Sequence, residues 1–289
     1  MTAITITRAG PLATLQDEGR FGFLRHGISA SGPMDRGGYR LAGAMLAVAG
    51  RTAIEFTAAG LEFTADGPLR AGCAGGAFRL AVNGHEREWP ARLGLAAGDR
   101  VAITPGPAGN YGYVRFDREV DVPVVLGSRA TNVAVGLGGY KGRALRAGDR
   151  IGLGGEGTAP DPAPPPSGSG PLRVMWGLHA DLFDSAAREG FVRSGFIVTS
   201  NLDRMGVRLA DRSRALAGPP RLTLVSDAIV PGDIQILGDG TPIVLMRDHQ
   251  PTGGYPRIAT VVSADLDRFA QLRPGEEVRF IPVTLEHAR

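Results

Sequence analysis

One turn phrase, Leu-x-x-Gly-acid-x-Val/Ile, recurs three times in this chain and constrains its fold more than any other feature. The copies occupy residues 95–101, 145–151 and 272–278. Glycine supplies a backbone conformation with positive φ, and the β-branched residue at the end favours the start of a strand. The phrase therefore predicts strands joined by tight turns, as in a β-barrel, and no catalytic role for these segments.

Glycine and proline interrupt most of the remaining sequence. The 43 glycines and 21 prolines leave short apolar runs that read as strands. In the first half these runs are residues 3–8, 53–56, 61–63, 78–82, 101–104, 111–116 and 122–126. Only two segments favour helices: residues 34–49, with Asp35 as its cap and Gly50 as its end, and residues 181–189.

A change of composition divides the chain. Residues 154–171 read GGEGTAPDPAPPPSGSGP, a segment that can neither bury apolar surface nor hold a strand ladder. We therefore expect a first β-barrel lobe over residues 1–154, a Pro/Gly-rich connection over 155–171 and a second β-barrel lobe over 172–289. The predicted fold class is mainly β, with a few short helices.

Several functional classes are not favoured. The net charge is +3, with acidic and basic residues interspersed and few aromatic residues, so no nucleic-acid partner is expected. Neither a leader segment nor a long apolar run is present, which predicts a cytoplasmic protein with no membrane association. The five histidines lack metal-ligand spacing, so no metal site is expected. The lone cysteine, Cys73, lies among alanines and glycines, as a small core residue does.

The densest group of polar side chains lies in residues 248–256, between predicted strands at 242–246 and 258–262. Asp248, Gln250, Thr252 and Tyr255 flank a Gly253-Gly254 pair whose amides can approach a ligand closely. One interpretation is a site for a small polar substrate. The other is a β-connection whose polar side chains satisfy their own backbone.

Other phrases combine charged residues with glycine, at residues 16–20, 127–131 and 200–206. Each alone reads as a corner fixed by a local ion pair, whereas together they favour a cleft lined by several such corners. Residues 136–143, GLGGYKGR, read either as a hairpin turn or as an anion-holding loop, and they lack the features of a nucleotide-binding loop.

Four segments together resemble the biotin-dependent carboxyltransferase family, also called allophanate hydrolase subunit 2. They are residues 16–35, 125–154, 200–209 and 226–280. The family includes the C subunit of bacterial 5-oxoprolinase and the carboxyltransferase region of urea carboxylase. The resemblance implies two cyclophilin-like β-barrel lobes.

It also implies the C subunit of an ATP-dependent 5-oxoprolinase, which converts 5-oxoproline to glutamate together with a B-type subunit, similar to a kinase inhibitor, and an A-type subunit. ATP is then used by the complex. One alternative is a biotin-dependent carboxyltransferase component for urea or a related amide, and biotin enters only in that case. The other is a regulatory antagonist of the B-type chain.

The resemblance further implies site residues for a small amide or lactam substrate. Asp248 and Tyr255 are the candidates for proton transfer or hydrogen bonding. The candidate anion or oxyanion donors are Arg204 and the backbone amides of Gly253 and Gly254. Asp248, Tyr255 and Arg204 are the predicted catalytic residues. The predicted substrate-binding residues are Gln16, Asp17, Arg20, Asp35, Ser128, Arg129, Gln235, Gln250, Thr252, Gly253 and Gly254.

Overall fold

The computed structural model describes residues 2–162, 168–217 and 224–288. The chain divides into two compact units, the first comprising Met1–Phe21 with Ala30–Pro166 and the second Gly22–Ser29 with Ser167–Arg289. The predicted lobe boundaries stay a prediction, and residues 163–167 of the predicted connection lie outside the described residues.

The first unit contains a ten-stranded sheet and one α-helix. Its strands are β1 (Thr2–Ala9), β2 (Thr14–Gln16), β3 (Ala53–Thr57), β4 (Leu61–Ala65), β5 (Leu69–Val82), β6 (His85–Arg87), β7 (Ala91–Leu95), β8 (Arg100–Phe116), β9 (Arg118–Val120) and β10 (Arg150–Glu156). The helix α1 (Arg36–Ala44) follows β2.

Two long strands organise this sheet. The path runs β2-β3-β8-β4-β1-β10-β9, and β5 pairs with β6, β7 and β8. The strand β8 pairs with β4 near its start and with β3 near its end, so the two runs predicted at 101–104 and 111–116 are parts of one bent strand. Irregular register between Gly75 and Phe78 accommodates the bend. Apolar side chains such as Ile4, Phe56 and Phe63 fill the interior.

Glycines allow α1 to lie directly on β5. A Cβ added to Gly72 would overlap the carbonyl oxygen of Ala42, and one added to Gly38 would lie 2.7 Å from the Gly75 Cα. Cys73, between these contact points, is fully buried, and burial raises the pKa of its thiol to about 12. Cys73 is therefore a core residue, as the sequence predicts.

The second unit holds an eight-stranded sheet, a two-stranded ribbon and two α-helices. The strands are β11 (Leu172–Trp176), β12 (Phe196–Leu202), β13 (Gly206–Ala210), β14 (Asp227–Ala228), β15 (Asp233–Ile236), β16 (Pro242–Leu245), β17 (Thr252–Gly253), β18 (Arg257–Val261), β19 (Glu277–Val278) and β20 (Phe280–Pro282). The helices are α2 (Ser185–Arg193) and α3 (Leu266–Ala270). Three 3-10 turns complete the described elements, at Leu24–His26, Ala180–Leu182 and Leu285–Ala288.

The larger sheet runs β19-β12-β13-β16-β15-β18-β11-β20, and β14 pairs with β17 in the separate ribbon. Its pairs are antiparallel except β11 with β20. An aromatic cluster packs α2 against this sheet. The rings of Phe191 in α2 and Phe280 in β20 stack with centroids 5.1 Å apart, and Phe196 of β12 packs beside them. The mainly β fold predicted from the sequence is confirmed.

The recurring turn phrase adopts the same geometry in all three places. Gly98, Gly148 and Gly275 have φ values of 87°, 90° and 93°. In each copy the acidic residue that follows accepts a hydrogen bond from the backbone N–H three residues earlier. The glycine and the carboxylate therefore close the turn locally, as the sequence predicts.

Both helix predictions need correction at their ends. Asp35 caps α1 by accepting from the Gly38 amide at 2.8 Å, but the helix ends at Ala44, six residues before Gly50. Gly50 instead lies against Arg118 and Glu119 of β9, and its amide donates to the carbonyl of Phe116, the last residue of β8, at 2.8 Å. The helix predicted at 181–189 begins later, because Asp184 caps it by accepting from the Ala187 amide.

The predicted strand at 122–126 is also wrong. Pro123 has no amide hydrogen, and Leu126 has a φ of 53°, so the segment does not continue a strand ladder.

None of the helices in the described residues has both the length and the apolar character that a membrane span requires.

The glycine contact between β5 and α1 yields a stability prediction. Gly72→Ala should lower the free energy of unfolding by about 1–3 kcal/mol, because its methyl group would displace α1. Gly94, on the paired strand β7, is a matched control, since a Cβ there meets nothing within 4 Å. Urea unfolding followed by circular dichroism should show Gly94→Ala within about 0.5 kcal/mol of wild type. Equal stability of the two variants would contradict this packing.

Candidate functional site

The predicted site residues of the first unit form a network that joins two chain segments. The Asp17 carboxylate accepts hydrogen bonds from the Ser128 hydroxyl at 2.5 Å, the Arg129 amide at 2.6 Å and the Gly19 amide at 2.9 Å. Arg20 is fully buried and donates to the Ala130 carbonyl. These contacts fasten residues 128–130 to residues 17–20.

Gln16 completes this network. Its Nε2 donates to Thr14 Oγ1 at 2.9 Å and to the Thr131 carbonyl at 3.0 Å, and its Oε1 accepts from the Gly32 amide at 3.1 Å. The Arg129 guanidinium donates to the Val122 carbonyl at 3.1 Å. These side-chain atoms bind backbone amides and carbonyls of other segments, so their contacts stabilise the fold.

Asp35 is bound in a second buried group. Besides capping α1, it donates its own amide to the Tyr113 hydroxyl at 2.7 Å, and that hydroxyl lies 2.8 Å from Glu55 Oε2. Burial, with the nearby Glu55 carboxylate second, holds the pKa of Tyr113 well above its usual value. This group anchors the start of α1 to β3 and β8.

The glycine-rich segment 136–143 is a close-packed turn. A Cβ added to Gly138 would overlap the Ala130 carbonyl oxygen, and one added to Gly139 would overlap Thr131 Oγ1. Both glycines and Lys141 have positive φ. The glycines thus allow this segment to lie against residues 130–131, which corresponds to the hairpin interpretation.

The second unit contains an open cavity of about 710 Å³. Its floor is one face of β13, β16 and β15. The residues of these strands that line it are Gly206, Arg208, Ile243, Leu245 and Gln235, and Leu237 lines it directly after β15. Residues between them on the same strands point to the opposite face and fill the core: Val207, Leu209, Val244, Ile234 and Ile236 are all buried. The cavity therefore lies on the face of the sheet opposite the core.

The end of β12 and two loops form the rim of this cavity. Ser200 and Asn201 lie where the pairing of β12 with β13 shifts register. Such irregularities are common next to functional sites. Asp203 lies at the following corner, and its Oδ1 accepts from the amides of Met205 at 2.7 Å and Gly206 at 3.1 Å. Gln250 and Tyr255, two of the predicted residues, line the other side.

Gln235 contributes an unusual donor. The residue is 2% exposed and lines the cavity, and its Nε2 has no hydrogen-bond partner among the described residues. It lies at an irregularity in the pairing of β15 with β18. A Cβ on Gly253 would overlap this Nε2, so the glycine there gives the amide its room. A buried N–H without an acceptor costs about 1–3 kcal/mol, and a ligand acceptor would recover that cost.

Arg204 and Asp248 form a buried ion pair with each other. Arg204 Nε lies 2.8 Å from Asp248 Oδ2, and Nη2 lies 3.2 Å from Oδ1. Their side chains are 3% and 5% exposed, and neither lines the cavity. The amide of Asp248 also donates to the Arg204 carbonyl at 2.7 Å, so the pair joins the 203–206 corner to the end of β16.

The remaining predicted residues lie in the ribbon. Thr252 and Gly253 form β17, and Gly253 pairs with Asp227 of β14. The Gly254 carbonyl accepts from the Leu224 amide at 2.7 Å. The Gly253-Gly254 pair thus forms backbone hydrogen bonds, and Gly253 also leaves room for the side-chain amide of Gln235.

Sequence reasoning missed a cluster centred on Arg257. This buried side chain donates to the Ala228 carbonyl at 2.8 Å and pairs with Asp227 at 2.6 Å and Asp233 at 3.3 Å. Its own amide donates to His179 Nδ1 at 3.3 Å, and burial lowers the pKa of that histidine. The signal available in the sequence was an arginine directly before the apolar run at residues 258–262.

Sequence reasoning also missed Arg208. It alternates with Val207 and Leu209 in a pattern typical of a strand with one polar face.

Across the described ranges, no group of three or more His, Cys, Asp or Glu side chains is placed to hold a metal ion.

The sequence and the architecture match a known class of protein. A model of the carboxyltransferase domain, subdomain A and B, matches residues 26–282, so the chain belongs to this family. It is 36% identical to the 5-oxoprolinase C subunit of Escherichia coli (strain K12), with 99% of this chain and 93% of that protein aligned. It is 32% identical to the 5-oxoprolinase C subunit of Haemophilus influenzae, with 96% and 90% aligned.

A second kind of relative is much longer. Urea amidolyase of Saccharomyces cerevisiae is 30% identical, but this chain spans only 17% of its length. The crystal structure of the K. lactis urea amidolyase superimposes with a TM-score of 0.88 and 29% identity, covering 99% of this chain and 19% of that one.

The buried ion pair provides a test of the role of Asp248. Asp248→Asn should lower the free energy of unfolding by about 3–5 kcal/mol, because it removes one charge of a buried ion pair. Asp181, 99% exposed and paired with Arg188, is the control, and its asparagine variant should change stability by at most about 1 kcal/mol. Urea unfolding measures both. A fully stable Asp248→Asn chain that abolishes turnover in its complex would instead indicate the catalytic role predicted from the sequence.

Proposed function

We propose that this chain is the C subunit of an ATP-dependent 5-oxoprolinase, a heteromeric hydrolase that opens the lactam ring of 5-oxoproline to give glutamate. The observation that carries the proposal is the Gln235 side chain, which lines the cavity and whose Nε2 has no hydrogen-bond partner among the described residues. Relatives that align over nearly their full length include 5-oxoprolinase C subunits. The A-type and B-type subunits are its proposed partners. Because the proposed reaction consumes ATP, we place the complex in the cytoplasm.

The cavity meets the main physical demand of this reaction. A lactam is a weak electrophile, and its carbonyl oxygen must be polarised as charge develops on it. Gln235 Nε2 is a buried donor suited to that oxygen, since the residue is 2% exposed and its Nε2 lies beside Gly253. Gln250 and Tyr255 lie on the rim, where their polar groups can contact the same small ring.

Other predicted residues act at a distance in this proposal. Arg204 and Asp248 fix the corner that carries Asp203 and Met205, both of which line the cavity. The first-unit residues Gln16, Asp17 and Ser128 hold their own segments together. Since the sequence has no nucleotide-binding loop of the Gly-x-x-x-x-Gly-Lys-Ser/Thr type, we assign ATP binding to a partner subunit.

A carboxyltransferase role is the second candidate, favoured by the urea amidolyase relatives and the TM-score of 0.88 to one of them. In that case Gln235 would bind the carbonyl oxygen of urea or a related amide. Biotin would be carried by another polypeptide and would supply the carboxyl group. Biotin detected with avidin in a co-purifying partner would favour this candidate.

The decisive experiment is co-expression of this chain with A-type and B-type subunits from the same genome. Glutamate and ADP should form only when the three chains, ATP and 5-oxoproline are all present. A stable complex that forms no glutamate from 5-oxoproline would overturn the proposal.

Two variants then test the site. Gln235→Leu should lower kcat/KM for 5-oxoproline by about 10–100-fold, since it removes a donor to the developing oxyanion. Gly253→Ala should act in the same direction by displacing the Gln235 amide. Gly238→Ala is the matched control, because a Cβ at Gly238 meets nothing within 4 Å, and it should keep wild-type turnover. Wild-type kinetics in both site variants would place the chemistry elsewhere.

A further inference from the structure

Arg208 shares one row of the cavity floor with Gln235. Arg208 of β13 is paired directly with Ile243 of β16, and Ile243 is paired directly with Gln235 of β15. Residues directly opposite one another on neighbouring strands project from the same face of a sheet. Arg208, Ile243 and Gln235 therefore form a line across the floor, with a guanidinium at one end and a primary amide at the other.

The length of this row suits a small ligand held at both ends. Neighbouring strands lie about 4.8 Å apart, so the backbones of Arg208 and Gln235 are separated by roughly 10 Å. A donor at each end, with hydrogen bonds of about 2.9 Å, leaves room above Ile243 for one small ring. The ring would rest on an apolar side chain while its polar groups reach outward.

The charges around the cavity leave the guanidinium available. In the described parts of the chain, no hydrogen bond or ion pair involves the side chain of Arg208. The lining carboxylate, Asp203, already accepts from two backbone amides. Hydrogen bonds from Thr241 hold the pKa of the Asp239 carboxyl below its usual range, and the Arg208 charge adds to them, but Asp239 does not line the cavity.

We propose that Arg208 binds a carboxylate on the substrate, so that the cavity selects a small amide or lactam that also carries an acid group. Gln235 takes the amide carbonyl and Arg208 takes the carboxylate at the opposite end of the row. Guanidinium and carboxylate form paired, charge-assisted hydrogen bonds, which fix orientation as well as affinity. This inference rests on the proposed function, and it separates 5-oxoproline from urea, which has no carboxylate.

The test compares two rings that differ only in the acid group. Ligand-observed NMR titrations of the full chain, alone and in its complex, use 5-oxoproline and 2-pyrrolidinone as probes. Wild type should bind 5-oxoproline more tightly. Arg208→Gln should raise the Kd for 5-oxoproline by about 10–100-fold and leave that for 2-pyrrolidinone unchanged. Arg208→Lys should lose less, because it keeps the charge.

Arg212 supplies the control, since it is exposed, lies just beyond β13 and does not line the cavity. Arg212→Gln should bind both probes as wild type does. The inference is overturned if Arg208→Gln binds 5-oxoproline normally, if it weakens both probes equally, or if wild type shows no preference for the acid.

Its failure is distinguishable from failure of the proposed function. A complex that converts 5-oxoproline to glutamate with an unchanged KM in Arg208→Gln would retain the function and refute the anchor. A wild-type complex without glutamate formation, whose C-type chain still prefers 5-oxoproline and loses that preference in Arg208→Gln, would refute the function and retain a site for carboxylate-bearing amides.

Discussion

The alternation of side chains along a strand is the constraint on which both the core and the candidate site depend. In β13 it sends Val207 and Leu209 into the core and leaves Gly206 and Arg208 on the cavity floor. A shift of one residue in register would bury the arginine and expose the core. The cavity thus takes its geometry from the same ladder of hydrogen bonds that holds the second unit together.

Close backbone contacts explain many of the glycines. Gly72 and Gly38 let α1 lie on the sheet, Gly138 and Gly139 let a turn lie against residues 130–131, and Gly253 leaves room for Gln235. Only the last of these contacts borders the cavity. Glycine beside a charged residue is therefore a weak indicator of a ligand site, because close packing between backbone segments requires the same residue.

Buried polar groups divide in a similar way. Asp17, Gln16 and the Arg204–Asp248 pair are bonded to partners within the protein, as burial of polar groups normally requires. Gln235 lines the cavity, and its buried Nε2 has no partner among the described residues. That contrast, which depends on atomic positions, separates structural polar residues from a candidate binding residue, although both kinds occur in the same sequence motifs.

The sequence by itself determined the mainly β class, the three recurring turns, the Asp35 cap and the interior position of Cys73, because local backbone preference and residue size decide these features. It also contained the segments that identify the family. The tertiary structure alone decided that β8 is one bent strand, that Arg204 and Asp248 pair across 44 positions of the chain, and that Arg208 aligns with Gln235 through Ile243. Those features depend on register between distant segments, which the packing of the whole sheet sets and no local pattern encodes.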